Sequence, residues 1–185
     1  MKRVLVPLAQ GFEELEAVTI IDLLRRAGIE VVVAALSENP VTGSHGITLL
    51  ADAMLDAVSG QDFDLVALPG GMPGAANLKD DLRIADLIRR LHQGGGHVAA
   101  ICAAPMVLAA AGILTGRRAT SFPGFLDRAA ELTLVDEPVV VDGRIITSRG
   151  PGTALDFGLE LVAQLLGSGA RRKIESQLQR SGTGR

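Results

Sequence analysis

The stretch that most restricts the fold is VAAICAAPMVLA, residues 98–109, where one kind of element gives way to another at the chain's only cysteine. Residues 98–101 form a short unbroken apolar run, the mark of a strand buried on both faces. From Ala103 onward small apolar residues continue without a charge, and Pro105 falls where a first helical turn does not need its missing N–H, so a helix is predicted. Cys102 therefore occupies the corner. A side chain at a tight strand-to-helix turn projects from the end of the sheet over the free N–H groups and partial positive charge of a helix start, the geometry of a nucleophile elbow. This placement predicts a thiol more acidic than free cysteine, whose pKa is about 8.5. Unpaired cysteines commonly act as small buried hydrophobes. The corner position, with Ala103 and Ala104 leaving space above the sulfur, raises a functional role to equal weight.

Composition narrows the function classes. A chain of 185 residues, 48% of them hydrophobic, is long enough to bury a sizeable core and reads as one domain over 1–185, with a polar, frayed tail at 181–185. The net charge of −3 is spread over both signs and gives no basic face, so neither nucleic acid nor an anionic membrane is an expected partner. The uncharged stretch 98–114 is shorter than the ~20 strongly apolar residues a bilayer requires, and Pro105 and Gly112 interrupt it. One cysteine makes no internal disulfide, and with His45, His92 and His97 scattered it makes no zinc-ligand run; no metal and no cofactor are expected, and a reducing cytoplasm fits best. The N-terminal apolar run stops after Ala9, too short for a signal-peptide core.

Taken in order, residues 2–8 read as a strand, 13–27 as a helix ending at Gly28, and 29–36 as a Val-rich strand: a βαβ unit, which implies a parallel sheet. Residues 39–50 read as a small hairpin excursion at the sheet edge, followed by a helical turn at 54–58 and a buried strand at 63–68. The loop PGGMPG, 69–74, precedes a helix over 78–92. After the Cys102 strand and a helix stopping near Gly112 come a strand at 117–121, a short helix at 124–130, a hairpin of 139–141 with 144–148 across Asp142-Gly143, and helices at 153–166 and 171–178. The pattern is α/β: a flavodoxin-like three-layer sandwich on a mostly parallel, doubly wound sheet, which binds ligands at the carboxyl ends of its strands.

Several groups converge on that edge. Gln10-Gly11, Gly70-Gly71 and Gly150-Pro151-Gly152 follow strands without the spacing of a P-loop or dinucleotide fingerprint, so they read as tight turns around a crowded site. The N–H groups of Gly71 and Ala103 are candidate oxyanion donors. On the first helix Ala17, Ile20, Leu23 and Leu24 share one arc with Glu13 and Glu16, Glu14 lies at its border, and Thr19, Asp22, Arg25 and Arg26 face away. Acids early in a helix usually answer the macrodipole and stay solvated; carboxylates facing a core beside a cysteine suggest a functional pair. An ionised carboxylate would oppose thiolate formation, so Glu16 and Cys102 must titrate together, with Glu16 protonated when the sulfur is an anion. His92 and His97 are expected at solvated positions away from Cys102, whereas His45 lies in the excursion and could reach a site, even a neighbouring subunit's.

Four segments, QGFEELE (10–16), LPGG (68–71), AAICAAP (99–105) and TSRGPGT (147–153), closely resemble the ThiJ/PfpI superfamily, in the branch of the Parkinson-associated protein deglycase and its bacterial ThiJ-like relatives. The resemblance runs to about Leu166. It implies a homodimer, an easily oxidised cysteine at Cys102 and a carboxyl partner at Glu16; Glu13, Gly70, His45, Gly150 and Pro151, at the same edge, are candidate substrate-binding residues. Implied activities are glyoxalase III conversion of methylglyoxal to lactate without glutathione or metal, repair of early glycation adducts, and oxidative-stress sensing or chaperoning. Several members of the superfamily carry a histidine where this chain has Phe122, before Pro123. That departure argues against a Cys-His-Glu triad and against peptidase activity. The sequence thus leaves three readings: a small-aldehyde enzyme with Cys102 as nucleophile and Glu16 moving protons, a redox sensor or chaperone oxidised at Cys102, or a protein whose cysteine is inert.

Overall fold

A computed structural model describes residues 1–127, 129 and 131–179. Its centre is a seven-stranded sheet in the order β10-β11-β7-β6-β1-β2-β5. Strands β1 (Arg3–Leu8), β2 (Glu30–Ala35), β5 (Ala53–Met54), β6 (Leu65–Leu68), β7 (His97–Ile101) and β11 (Ile145–Ser148) pair in parallel, and only β10 (Val139–Asp142) runs antiparallel to its neighbour. The outer pieces β3 (Val41–Thr42) with β4 (Thr48–Leu49), and β8 (Arg118–Ala119) with β9 (Thr133–Leu134), form two small separate sheets. The β2-β1-β6-β7-β11 order is that of the flavodoxin-like fold, with its switch point between β1 and β6.

The central strands are buried on both faces, as their continuous apolar runs require: Val4, Leu5, Val6, Leu65, Val66, Val98, Ala99 and Ala100 have no exposed surface. Helices α1 (Glu14–Arg26), α6 (Ala154–Leu166) and α7 (Ser168–Gln177) pack as one group, and α3 (Gly74–Asp80), α4 (Leu82–Gln93) and α5 (Pro105–Ala110) as another; the one-turn α2 (Leu55–Val58) lies against β2 and β5. The apolar arc of α1, Ala17, Ile20, Leu23 and Leu24, is buried, and Leu23 meets α6 at Gly158, where a Cβ would stand 2.6 Å from Leu23 Cδ1. No helix among the described residues is long and apolar enough to cross a membrane.

Three expectations change. The helix expected over 78–92 is two helices that break at Asp81, whose carboxylate accepts from Arg83 N at 2.9 Å and so caps α4. Residues 124–127 form turns instead of a helix; Gly124 has φ of 95°, outside the helical region, and Arg128 and Ala130 lie outside the described residues. The strand expected over 117–121 is reduced to two residues, while β5 adds a two-residue edge strand absent from the sequence reading. The tail at 181–185 lies outside the described residues.

Phe157 on α6 is fully buried and among the largest such side chains in the core. Phe157→Ala is expected to cost about 3–5 kcal/mol, read as a lowered urea midpoint at unchanged slope.

Candidate active site

The corner after β7 is strained in the way an elbow must be. Cys102 has φ of 63°, left-handed for a non-glycine residue, and only then does the chain enter α5, with Pro105 in its first turn. Two backbone bonds hold that corner from either side: Cys102 N donates to Ser148 O at 3.0 Å, and Phe122 N donates to Cys102 O at 2.9 Å. Ser148 is held in turn, since its hydroxyl lies 2.7 Å from both Pro138 O and Thr153 Oγ1. The cysteine keeps 9% of its surface exposed.

Glu16, from the first turn of α1, meets it there. The carboxyl has no exposed surface, and Gly70 N donates to Oε2 at 2.8 Å. Gly70 O accepts from Glu13 N at 2.9 Å, so the loop after β6 is clamped to the start of α1 in both directions. Gly70 also explains itself sterically: a Cβ there would lie 2.6 Å from Cys102 Cβ and 2.9 Å from Glu16 Oε2, so a side chain would drive the two groups apart. Glu13 is the N-cap of α1, its carboxylate accepting from Glu16 N at 2.7 Å.

Electrostatics couple the pair. Burial raises the Glu16 carboxyl to about 7, with the charge of Glu13 adding to the rise and the Gly70 N–H and the Cys102 thiol opposing it. Burial first, and the negative charge of Glu16 second, push the Cys102 thiol up to about 12, against the lowering effect of the Gly71 and Ala103 N–H groups. The acidic thiol expected from the corner alone is thus corrected: loss of hydration outweighs two N–H donors and the start of a six-residue helix. Glu16 Oε1 is buried without a well-aligned hydrogen bond, although carboxyl and thiol are close enough to interact. A proton held between the two groups would satisfy it.

The other expected residues divide. Gly70, Gly71 and Ala103 come together around the sulfur, and Gly150 and Pro151 lie beside the Phe122 segment that is bonded to Cys102. His45 lies 3.0 Å from Glu14 Oε2 and 3.7 Å from Glu13 Oε1, and its pKa is raised chiefly by Glu14. His92 and His97 stand at the opposite end of β7 and are half-buried where solvated positions were expected. The residue that sequence reasoning undervalued is Glu14: buried, it accepts from His45 N at 2.6 Å and Ile47 N at 3.2 Å and ties the β3–β4 excursion to α1. Its place at the border of the apolar arc was the available signal. Burial would raise Glu14, but its bonds from His45 and Ile47 bring it below the ordinary value. Glu13, Glu14 and His45 place three potential ligand atoms within 4.8 Å of one another.

A match to the DJ-1/PfpI family spans residues 2–164. The chain belongs to this family. Protein dj-1beta of Drosophila melanogaster is 44% identical over 169 residues, 90% of each protein, and its crystal structure superimposes with a TM-score of 0.94 at 41% identity, covering 98% of this chain and 99% of that one. A structure titled as oxidized DJ-1 of Toxoplasma gondii gives a TM-score of 0.93 at 39% identity, over 98% and 100% of the two chains. A deglycase of Pyrococcus abyssi is 37% identical over 88% of this DJ-1/PfpI chain and 99% of its own. Protein DJ-1 homolog A of Arabidopsis thaliana is 41% identical over 96% of this chain, which spans only 46% of that longer relative.

Because the folded pKa of Glu16 lies above its unfolded value, folding takes up a proton between about pH 4.5 and 7, and stability falls as pH rises through that window. Glu16→Gln removes the ionisable group while leaving an acceptor for Gly70 N. The variant is expected to gain on the order of 2–3 kcal/mol over wild type between pH 5 and pH 8 in denaturant unfolding.

Proposed function

We propose that this protein is a cysteine-dependent enzyme acting on α-oxoaldehydes such as methylglyoxal, or on their early glycation adducts, with Cys102 as nucleophile and Glu16 as proton carrier. The observation that carries this reading is the contact of a left-handed corner cysteine with a buried carboxyl whose pKa stands near neutrality. Once the thiol proton has passed to the Glu16 carboxylate, that charge no longer opposes the thiolate, and three donors surround the sulfur: the carboxyl O–H and the N–H groups of Gly71 and Ala103. Cys102 Sγ then bonds to the aldehyde carbon, the C=O electron pair moves to oxygen, and Glu16 delivers the proton, giving a hemithioacetal.

From methylglyoxal, the aldehyde carbon is oxidised as its neighbour is reduced, and water releases lactate, so no external oxidant or reductant enters. An early adduct is a hemiaminal or hemithioacetal, so Glu16 first protonates the departing amine or thiol as the adduct hydroxyl gives up its proton and re-forms the C=O bond, and Cys102 then attacks the freed aldehyde; this is the deglycase reading and agrees with the name of the Pyrococcus relative. Gly70, Gly150, Pro151, Glu13 and His45 frame the substrate in this reading. The histidine of a full triad is replaced by Phe122, which carries no proton, and peptidase activity is not proposed.

A second reading has one observation in its favour, the oxidized state of the Toxoplasma structure. Peroxide would form an S–O bond at Cys102 with loss of water, and a second equivalent would give sulfinate, held by the same donors, for a role in oxidative-stress sensing or chaperoning. We further propose a cytoplasmic homodimer. Leu15 and Val18 on α1, with Ile47 and Leu50 in and after the excursion, expose 45–79% of their surface and supply apolar area for a second copy.

Methylglyoxal consumption with lactate formation is expected, and Cys102→Ser and Glu16→Gln should each lower kcat/KM at least a hundredfold; wild-type-like turnover in either would refute the roles assigned. The pH profile of Cys102 alkylation decides where the proton sits. If Glu16 carries it, Glu16→Gln loses an O–H donor and the profile moves to higher pH. If sulfur carries it, removing the carboxylate charge moves the profile to lower pH. After mild peroxide the intact mass should rise by two oxygens at Cys102; an unchanged mass counts against sensing.

A further inference from the structure

Phe122, just before Pro123, carries no ionisable group, but its position beside the elbow gives it another use. Its N–H is bonded to the carbonyl of Cys102 at 2.9 Å, which ties the Phe122 main chain to the elbow that carries the nucleophile. The residue is 46% exposed, unusual for a phenylalanine in so apolar a chain. It forms one wall of a groove of about 350 Å³ completed by Pro123, Gly150, Pro151 and Gly152. Phe125 meets it edge-on at 6.3 Å, and a Cβ on Gly150 would come within 3.3 Å of Cδ2, so the ring is held at one edge and left open on a face.

The groove's polar groups are already engaged. Thr153 Oγ1 donates to Gly150 O at 2.9 Å and pairs with Ser148 Oγ, while the Arg149 guanidinium is ion-paired with Asp136. What remains is an aromatic face, two proline rings and glycine backbone. Apart from Arg149, which is about a third exposed and ion-paired with Asp136, such a surface favours an apolar, flat group.

Resting on the aldehyde reading above and refining it, we propose that Phe122 is a specificity-determining residue. The groove seats the non-reacting substituent of the α-oxoaldehyde, and that substituent is an aromatic ring in preference to methyl. The bound ring stacks on Phe122 and the two prolines while its aldehyde carbon lies over Cys102.

The test separates the groove from the chemistry by using two alkylating ketones that need no turnover. Phenacyl bromide and bromoacetone each form an S–C bond at Cys102 with loss of bromide. Rates are followed by intact mass, and each is divided by the rate for N-acetylcysteine to remove intrinsic reactivity. Wild type is expected to favour the phenyl reagent about tenfold. Phe122→Ala should bring that ratio close to one, and Phe122→Tyr, which keeps the ring, should preserve it. In parallel, kcat/KM for phenylglyoxal should exceed that for methylglyoxal, with the difference residing in KM. A corrected ratio near one in wild type, or one unmoved by Phe122→Ala, overturns the proposal. Retained phenyl preference without turnover of either aldehyde supports the aromatic groove and overturns the aldehyde chemistry instead.

Discussion

A carboxyl group with no exposed surface has few ways to exist inside a protein, and Glu16 combines three of them. It keeps its proton to higher pH, it accepts one short bond from Gly70 N, and it lies against a sulfur able to share a hydrogen. Each arrangement constrains its surroundings. The Gly70 bond requires a loop that approaches without a side chain, and the approach of the sulfur requires the left-handed bend at Cys102. The first turn of α1 must also be fixed, which Glu13 does by capping the helix at Glu16 N. Hydration given up by one acid is thus offset by contacts from three separate segments.

The sheet brings those segments together. The loops after β1, β6, β7 and β11 leave the carboxyl ends of adjacent parallel strands, so α1, Gly70, Cys102 and Ser148 meet although they are far apart in sequence. The excursion after β2 is drawn to the same edge by Glu14, whose buried carboxylate does for backbone N–H groups what a strand partner would. Exposed apolar residues on α1 and beside the excursion then leave this edge as the part of the surface least like the rest.

Much of this was legible in the chain. Long apolar runs and the period of α1 gave the parallel core, because burial on both faces leaves a continuous signal. The placement of Glu13 and Glu16 on the apolar arc led to the pair with Cys102. Short elements were not legible: β5 exists through two pairings with Ala34 and Ala35, a tertiary fact with no local pattern. The break at Asp81 has a local signal, an acid before an apolar run, which the longer periodic stretch around it masks. The acidity expected of Cys102 failed for a different reason. Corner position and helix charge are visible in sequence, whereas the hydration lost at the corner depends on what packs around it.

The positive φ of Cys102 carries one more implication. A backbone bent this way accepts short, unbranched side chains and penalises branching at Cβ, so serine or asparagine fits the bend while threonine and valine would unseat it. Ser148 O and Phe122 N hold the main chain here through backbone bonds that do not involve the sulfur. Reactivity can therefore be exchanged at this position by one codon without rebuilding the architecture beneath it, which makes the bend a socket for chemistry and not a consequence of it.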